Sequence, residues 1–305
     1  MSIQPRTERD ERPYEHRFHA GNVGDVLKHM ALVALLERSR TGRSPVTYVD
    51  THAGAGAYRL GPTGEWREGV GRLLERMGEG APALVERYVS LLDDEAPGKH
   101  GMRYPGSPVL AARALSEEDR LVAFEVVEET ARQLSSALGS DGRAEVVVAD
   151  GVAALAGGLG SLPDGDLVVV VDPPWVEKAE WTRVPDALIA AARERPNARF
   201  LLWYPVKSHT RPNAMMKRLQ DARLAATLAE LVTSPLTVKK NRLNGSGLIL
   251  VRPPEGLVEA LAGSLAWLGA HLATHDGYWS QRVVSWGARE GPPAFGSSSS
   301  GSSTK

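Results

Sequence analysis

Val168-Val169-Val170-Val171-Asp172-Pro173-Pro174-Trp175 decides how this chain folds. Four consecutive valines suit the interior of a parallel sheet covered on both faces. Proline has no N–H and fixes φ, so Pro173 and Pro174 cannot extend the ladder, and the chain must turn out at the strand's carboxyl end. Open α/β sheets bind their ligands at that edge. Asp172 and Trp175 are therefore expected together on a stiff turn: a carboxylate acceptor, prolyl carbonyls and a flat aromatic face. That set suits a planar ring carrying an exocyclic NH2. The plainer alternative is that the prolines only end a strand and the indole belongs to the core.

Outward from this strand, apolar strands alternate with helical patterns. Asp25 to Arg40 carries an apolar helical stripe, and Val46 to Asp50 reads as a strand running into Thr51-His52-Ala53-Gly54-Ala55-Gly56. Further strands are expected at Leu121 to Glu125, Glu145 to Asp150, Leu167 to Val171, Phe200 to Tyr204 and Leu248 to Val251, with helices over 127–138, 184–195, 213–223 and 255–272. This rhythm predicts a parallel, doubly wound α/β sheet. From Tyr58 to Tyr104 it breaks: glycines, charge and two short helical patterns, around 66–77 and 82–92, point to an inserted small helical subdomain. Pro105-Gly106-Ser107-Pro108 then reads as a capping serine before a proline at the first helical position. Residues 14–57 and 105–287 are thus expected to form one domain and 58–104 the insertion. The polar residues 1–13 and the Gly/Ser-rich 288–305 are expected to be disordered tails.

The 305 residues, 42% of them hydrophobic, can build a substantial core. The absence of cysteine excludes disulfides and thiolate metal sites. No run approaches a membrane span and the first residues lack an apolar h-region, so a cytoplasmic protein with no membrane and no metal is expected. A net charge of −1 excludes a surface coated in basic charge, so any nucleic-acid contact must be local. The candidate basic runs are His16-Arg17-Phe18-His19 with Lys28-His29, Lys207-Ser208-His209-Thr210-Arg211 with Lys217-Arg218, and Lys239-Lys240-Asn241-Arg242. Each alone could equally be a solvated face.

The glycines at 54 and 56 let a backbone approach a ligand closely, but the third glycine of the dinucleotide fingerprint is missing, and so is the acid expected about 20 residues on. Acids instead close successive strands: Asp50, Glu125, Asp150 and Asp172. A single such acid often only caps the next helix. Four along one sheet rim suggest a site, with Glu125 accepting from ribose hydroxyls, Asp150 with Gly151 meeting an adenine amino group, and the acidic rim favouring a sulfonium cation.

Asp172-Pro173-Pro174-Trp175 resembles the Asp-Pro-Pro-aromatic signature of amino-group methyltransferases that use S-adenosylmethionine, where Tyr or Phe is commoner in fourth place. Taken with Tyr14 to Asn22, Asp25 to His29, Asp50 to Gly56, Arg103 to Pro108, Ala149 to Gly151, Leu202 to Val206 and Val284 to Trp286, the chain resembles the ribosomal RNA large subunit methyltransferase J family. The resemblance implies a Rossmann-like class I S-adenosylmethionine-dependent fold and methylation of N6 of one adenine in 23S rRNA. It implies cofactor contacts at His29, His52, Ser107, Glu125, Asp150 and Gly151 with Lys28 beside them, Asp172 as the catalytic acceptor, and Tyr14 approaching the RNA.

On this reading N6 would donate to the Asp172 carboxylate and the Pro173 carbonyl, localising the amine's lone pair, while Trp175 stacks on the base. The substrate would be a single-stranded or flipped-out adenine of 23S rRNA, handled by a monomer. The alternatives are methylation of DNA adenine or of a glutamine side chain, or a catalytically silent RNA-binding protein. Glutamine enzymes usually carry Asn where this chain has Asp172.

Overall fold

The valine run lies in a strand buried from Leu167 onward, β6 (Asp166–Val171), and the backbone leaves the sheet at Asp172. The computed structural model describes residues 18–40, 44–78, 80–92, 101–160, 162, 165–238 and 243–287; Tyr14, both expected tails and residues 239–242 lie outside the described residues. On one side of β6 lie β1 (Val46–Asp50), β4 (Arg120–Glu125) and β5 (Ala144–Val148), and on the other β7 (Arg199–Val206), all parallel to it. Beyond β7 the sheet departs from the expected parallel plan. There β9 (Gly245–Val251), β8 (Ala226–Val232) and β10 (Ser280–Trp286) continue it antiparallel, giving the order β10-β8-β9-β7-β6-β1-β4-β5. β8 escaped the sequence reading because alanines and Glu230 interrupt its apolar run, although every residue in it is buried. β10 escaped because it is a largely polar edge strand.

The layers follow from which faces are apolar. α1 (Val23–Ser39) is buried almost all round: the sheet, α4 (Ser107–Ala114), α9 (Leu257–Leu272) and α3 (Ala83–Val89) of the insertion enclose it. α5 (Glu128–Leu138) flanks β4 and β5, whereas α6 (Gly151–Ala156), α7 (Glu180–Glu194) and α8 (Thr210–Asp221) pack together over the opposite core.

Two expectations are corrected here. Ser107 does not cap α4: the cap residue is Gly106, and Ser107 begins the helix with its hydroxyl donated to Asp50. The interval 58–104 is not free of strands either, since β2 (Ala57–Arg59) and β3 (Arg103–Pro105) pair antiparallel and close it off at its base. Three-residue strands are too short for periodicity to announce. Between them lie a 3-10 turn, Glu65–Arg67, and the helices α2 (Val70–Arg76) and α3.

Candidate active site

The carboxyl ends of β1, β4 and β6 open into a cleft of about 1380 Å³, walled on the far side by residues of the insertion. Asp172, at the end of β6, accepts a hydrogen bond on Oδ2 from Lys28 Nζ at 2.5 Å. Lys28 also donates to Asp25 Oδ1 at 2.8 Å, one helical turn earlier on α1. Burial opposes the lysine's charge, but Asp172 and Asp25 outweigh it and hold its pKa above the ordinary range. Lys28 is thus a buried cation clamped between two carboxylates, which positions Asp172 and leaves its Oδ1 for a donor in the cleft. In the sequence Asp25 figured only as part of a helical stripe and of a matched stretch, with no role of its own; the i, i+3 spacing of Asp25 and Lys28 on one helix face was the available signal.

The expected stacking face is not at Trp175. The residue adopts φ +54°, its ring is buried, and Nε1 donates to the Trp203 carbonyl at 3.0 Å. The indole packs on Trp181 with centroids 4.3 Å apart. Its apolar ring is stabilised more by that pocket than by solvent, so the plainer reading, core, is what the structure displays. Pro173 and Pro174 do border the cleft.

Asp50 is likewise corrected. It is fully buried, with Oδ2 accepting from Tyr48 Oη at 2.7 Å and from Ser107 Oγ at 2.6 Å, and Oδ1 accepting from the His52 amide at 3.1 Å. Burial pushes its pKa up. It organises the turn after β1 from behind, so three of the four rim acids, not four, border the cleft. Ser107 borders it with its proton already given to Asp50, so it can offer a ligand only lone pairs.

Glu125 turns into the cleft with its carboxylate fixed by the backbone: Oε2 accepts from the Gly54 amide at 3.0 Å and Oε1 from the Val127 amide at 2.9 Å. Gly54 has φ +62°, and a Cβ there would lie 2.3 Å from Tyr58 Oη, so the turn requires glycine. Asp150 caps α6, Oδ1 accepting from the Val152 and Ala153 amides at 2.8 and 3.2 Å. The capping role weighed for such acids is therefore real, yet Oδ2 remains, 3.8 Å from Arg183. A Cβ at Gly151 would sit 1.8 Å from the Thr51 carbonyl oxygen, so only glycine lets α6 start against the turn after β1.

The two histidines differ in surroundings. His29 is buried, its Nδ1 2.9 Å from Tyr104 Oη, which in turn meets Tyr88 Oη at 2.8 Å. His52 Nδ1 lies 2.8 Å from Thr51 Oγ1. The single hydroxyl proton of Thr51 goes to the Val170 carbonyl at 3.0 Å, so His52 donates from Nδ1 and keeps its lone pair on Nε2. Burial pushes the His52 pKa down to about 4, leaving the ring neutral at physiological pH. Val126 and Val127, more than half exposed beside Glu125, add an apolar patch to this end of the cleft that the sequence reading overlooked.

A parallel sheet whose strand ends carry these acids around one cleft, extended by an antiparallel flank, defines a Rossmann-like fold of the S-adenosylmethionine-dependent methyltransferase class. The profile of the family described as Ribosomal RNA large subunit methyltransferase D, RlmJ, matches residues 43–286, and the chain belongs to this family. It is 32% identical over 279 residues to Ribosomal RNA large subunit methyltransferase J of Escherichia coli (strain K12), covering 90% of this chain and 98% of that protein. The Haemophilus influenzae protein of the same name is 30% identical over 283 residues, with the same coverage. Among solved structures, protein LPL1258 from Legionella pneumophila str. Philadelphia 1 superposes with a TM-score of 0.78 at 27% identity, over 88% of this chain and 98% of that one.

Proposed function

We propose that this protein transfers a methyl group from S-adenosylmethionine to N6 of one adenine in large-subunit ribosomal RNA. Family membership supports the reaction class, and the observation that carries the site is the Asp172 carboxylate on the cleft wall, oriented by Lys28. The donor set fits the cofactor. Glu125 would take the ribose hydroxyls on its remaining lone pairs, Asp150 Oδ2 and the Gly151 backbone would meet the adenine edge, and Val126 and Val127 would cover its apolar face. His52, Ser107 and His29 would line the methionine side, and the acidic cleft favours a cation. When bound, S-adenosylmethionine supplies an electrophilic methyl group on sulfonium.

The chain's own task is to prepare a poor nucleophile. The N6 lone pair is delocalised into the purine ring; hydrogen bonds from N6 to Asp172 Oδ1 and to the Pro173 carbonyl would draw it onto nitrogen and aim it. Lys28 keeps the carboxylate from turning away, acting as a positioning residue through Asp172. The surplus N6 proton leaves to Asp172 or to water. A paired adenine must first be unstacked, at a cost of roughly a few kcal/mol, so a loop or single-stranded target is favoured.

Asp172→Ala is expected to abolish methyl transfer to 23S rRNA, read with tritiated cofactor and by mass-spectrometric mapping of N6-methyladenine, while cofactor affinity by calorimetry stays within a few-fold. Transfer at near wild-type rate would remove Asp172 from the reaction. Parallel incubations with DNA and protein pools separate this function from its alternatives.

A further inference from the structure

With Trp175 in the core, the cleft takes its exposed aromatic surface from elsewhere. Phe18 borders the cleft with 54% of its surface exposed, and its ring meets His19 edge-on at 5.6 Å between centroids. Phe18 leaves about half of its surface to solvent, and the turn that follows it is braced. The turn behind it is closed by the Asn22 amide donating to the His19 carbonyl at 3.1 Å, and Gly21 accepts from the Val70 amide at 2.8 Å. Glu65 of the insertion binds both His19 Nδ1 and Asn22 Nδ2 at 3.0 Å.

The basic runs sort themselves around the same mouth. Lys217 is paired with Asp221 and Arg218 with Asp186, both on the surface away from the cleft. Lys207, just past β7, is exposed, borders the cleft, and forms no ion pair among the described residues. Its charge opposes protonation of His19, the residue next to Phe18. Arg67 of the insertion borders the cleft too. Glu125, Asp150 and Asp172 border the cleft at the strand ends, whereas Arg67 and Lys207 share their part of the lining with Glu65 and Glu68. An exposed, unpaired ammonium on the cleft rim is a place where a polyanion gains a contact.

We infer that Phe18 and Lys207 form a subsite for the RNA strand beside the target adenine, the phenyl ring stacking on a flanking base and the ammonium contacting its phosphate. Base stacking on an aromatic ring is tolerant of sequence, and each phosphate contact contributes salt-dependent affinity. This subsite rests on the proposed RNA substrate.

Kinetics with a 23S rRNA transcript and tritiated S-adenosylmethionine test it on the full chain. Phe18→Ala and Phe18→Leu are expected to raise KM for RNA about tenfold, and Phe18→Trp to restore it. Lys207→Ala is expected to raise KM and to flatten its dependence on log salt by about 0.7, with Lys207→Arg close to wild type. Cofactor affinity by calorimetry should not move in any of them. If wild type methylates RNA and the Ala variants keep its KM and salt slope, or if Phe18→Leu performs as well as wild type, the subsite is refuted and the proposed function stands. If wild type methylates no RNA, both fall.

Discussion

Asp25, Lys28 and Asp172 are the residues on which the site is most sensitive, because one buried cation bridges a buried carboxylate and the carboxylate on the cleft wall. Removing the cation leaves both uncompensated, and breaking a buried pair costs about 3–5 kcal/mol. Lys28→Met is therefore expected to lower unfolding free energy by about that amount in a urea titration and to slow methyl transfer as well. A variant as stable as wild type would show that the triad is not closed in solution. Trp175 offers the complementary check. As a core residue bonded to the Trp203 carbonyl, its truncation to Ala should cost about 3–5 kcal/mol by the same measurement. An unchanged midpoint would mean the indole is free to face a substrate. From sequence, the acid and the prolines were legible as a strand end. The direction of the indole was not, because a single turn residue at positive φ can send a side chain to either side.

Among the elements, the turn after β1 and the start of α6 bear on each other most directly. α6 begins at Gly151 in van der Waals contact with the Thr51 carbonyl, and Asp150 supplies its cap. Gly151→Ala is expected to force the two apart, costing about 1–3 kcal/mol of stability and weakening cofactor binding in calorimetry. Retained affinity would take the α6 start out of the cofactor site. The parallel strands were readable because both of their faces are covered, which leaves continuous apolar runs. β8, β10 and the β2–β3 ribbon were not. Their residues are buried or paired by neighbours distant in sequence, and their own composition carries little β signal.

At the scale of the molecule, the segment before α1 meets the 58–104 interval, and His19–Glu65 is a charged contact between them. The hydrogen bond to Glu65 raises the His19 pKa above its ordinary 6.5, with burial opposing. The folded state therefore binds this proton more tightly than the unfolded state does. Its stabilisation is fully present below pH 6.5 and is lost as pH rises through the raised value. The protection factors of amides in α2 and in the turn before it, corrected for intrinsic base catalysis, are expected to fall across that window, and His19→Gln to remove the fall. Protection factors that do not change with pH in wild type would show that the contact does not hold this segment.

Local chemistry was enough for the α/β class, the binding edge of the sheet and the acids that end its strands, because apolar run length, proline and glycine act within a few residues. Packing alone decided which of those acids reach the cleft. Asp50 turned inward onto Tyr48 and Ser107, and Asp172 met Lys28 across 144 residues of chain. Such pairings depend on how helices seat on the sheet, a distance in space that no spacing in sequence encodes.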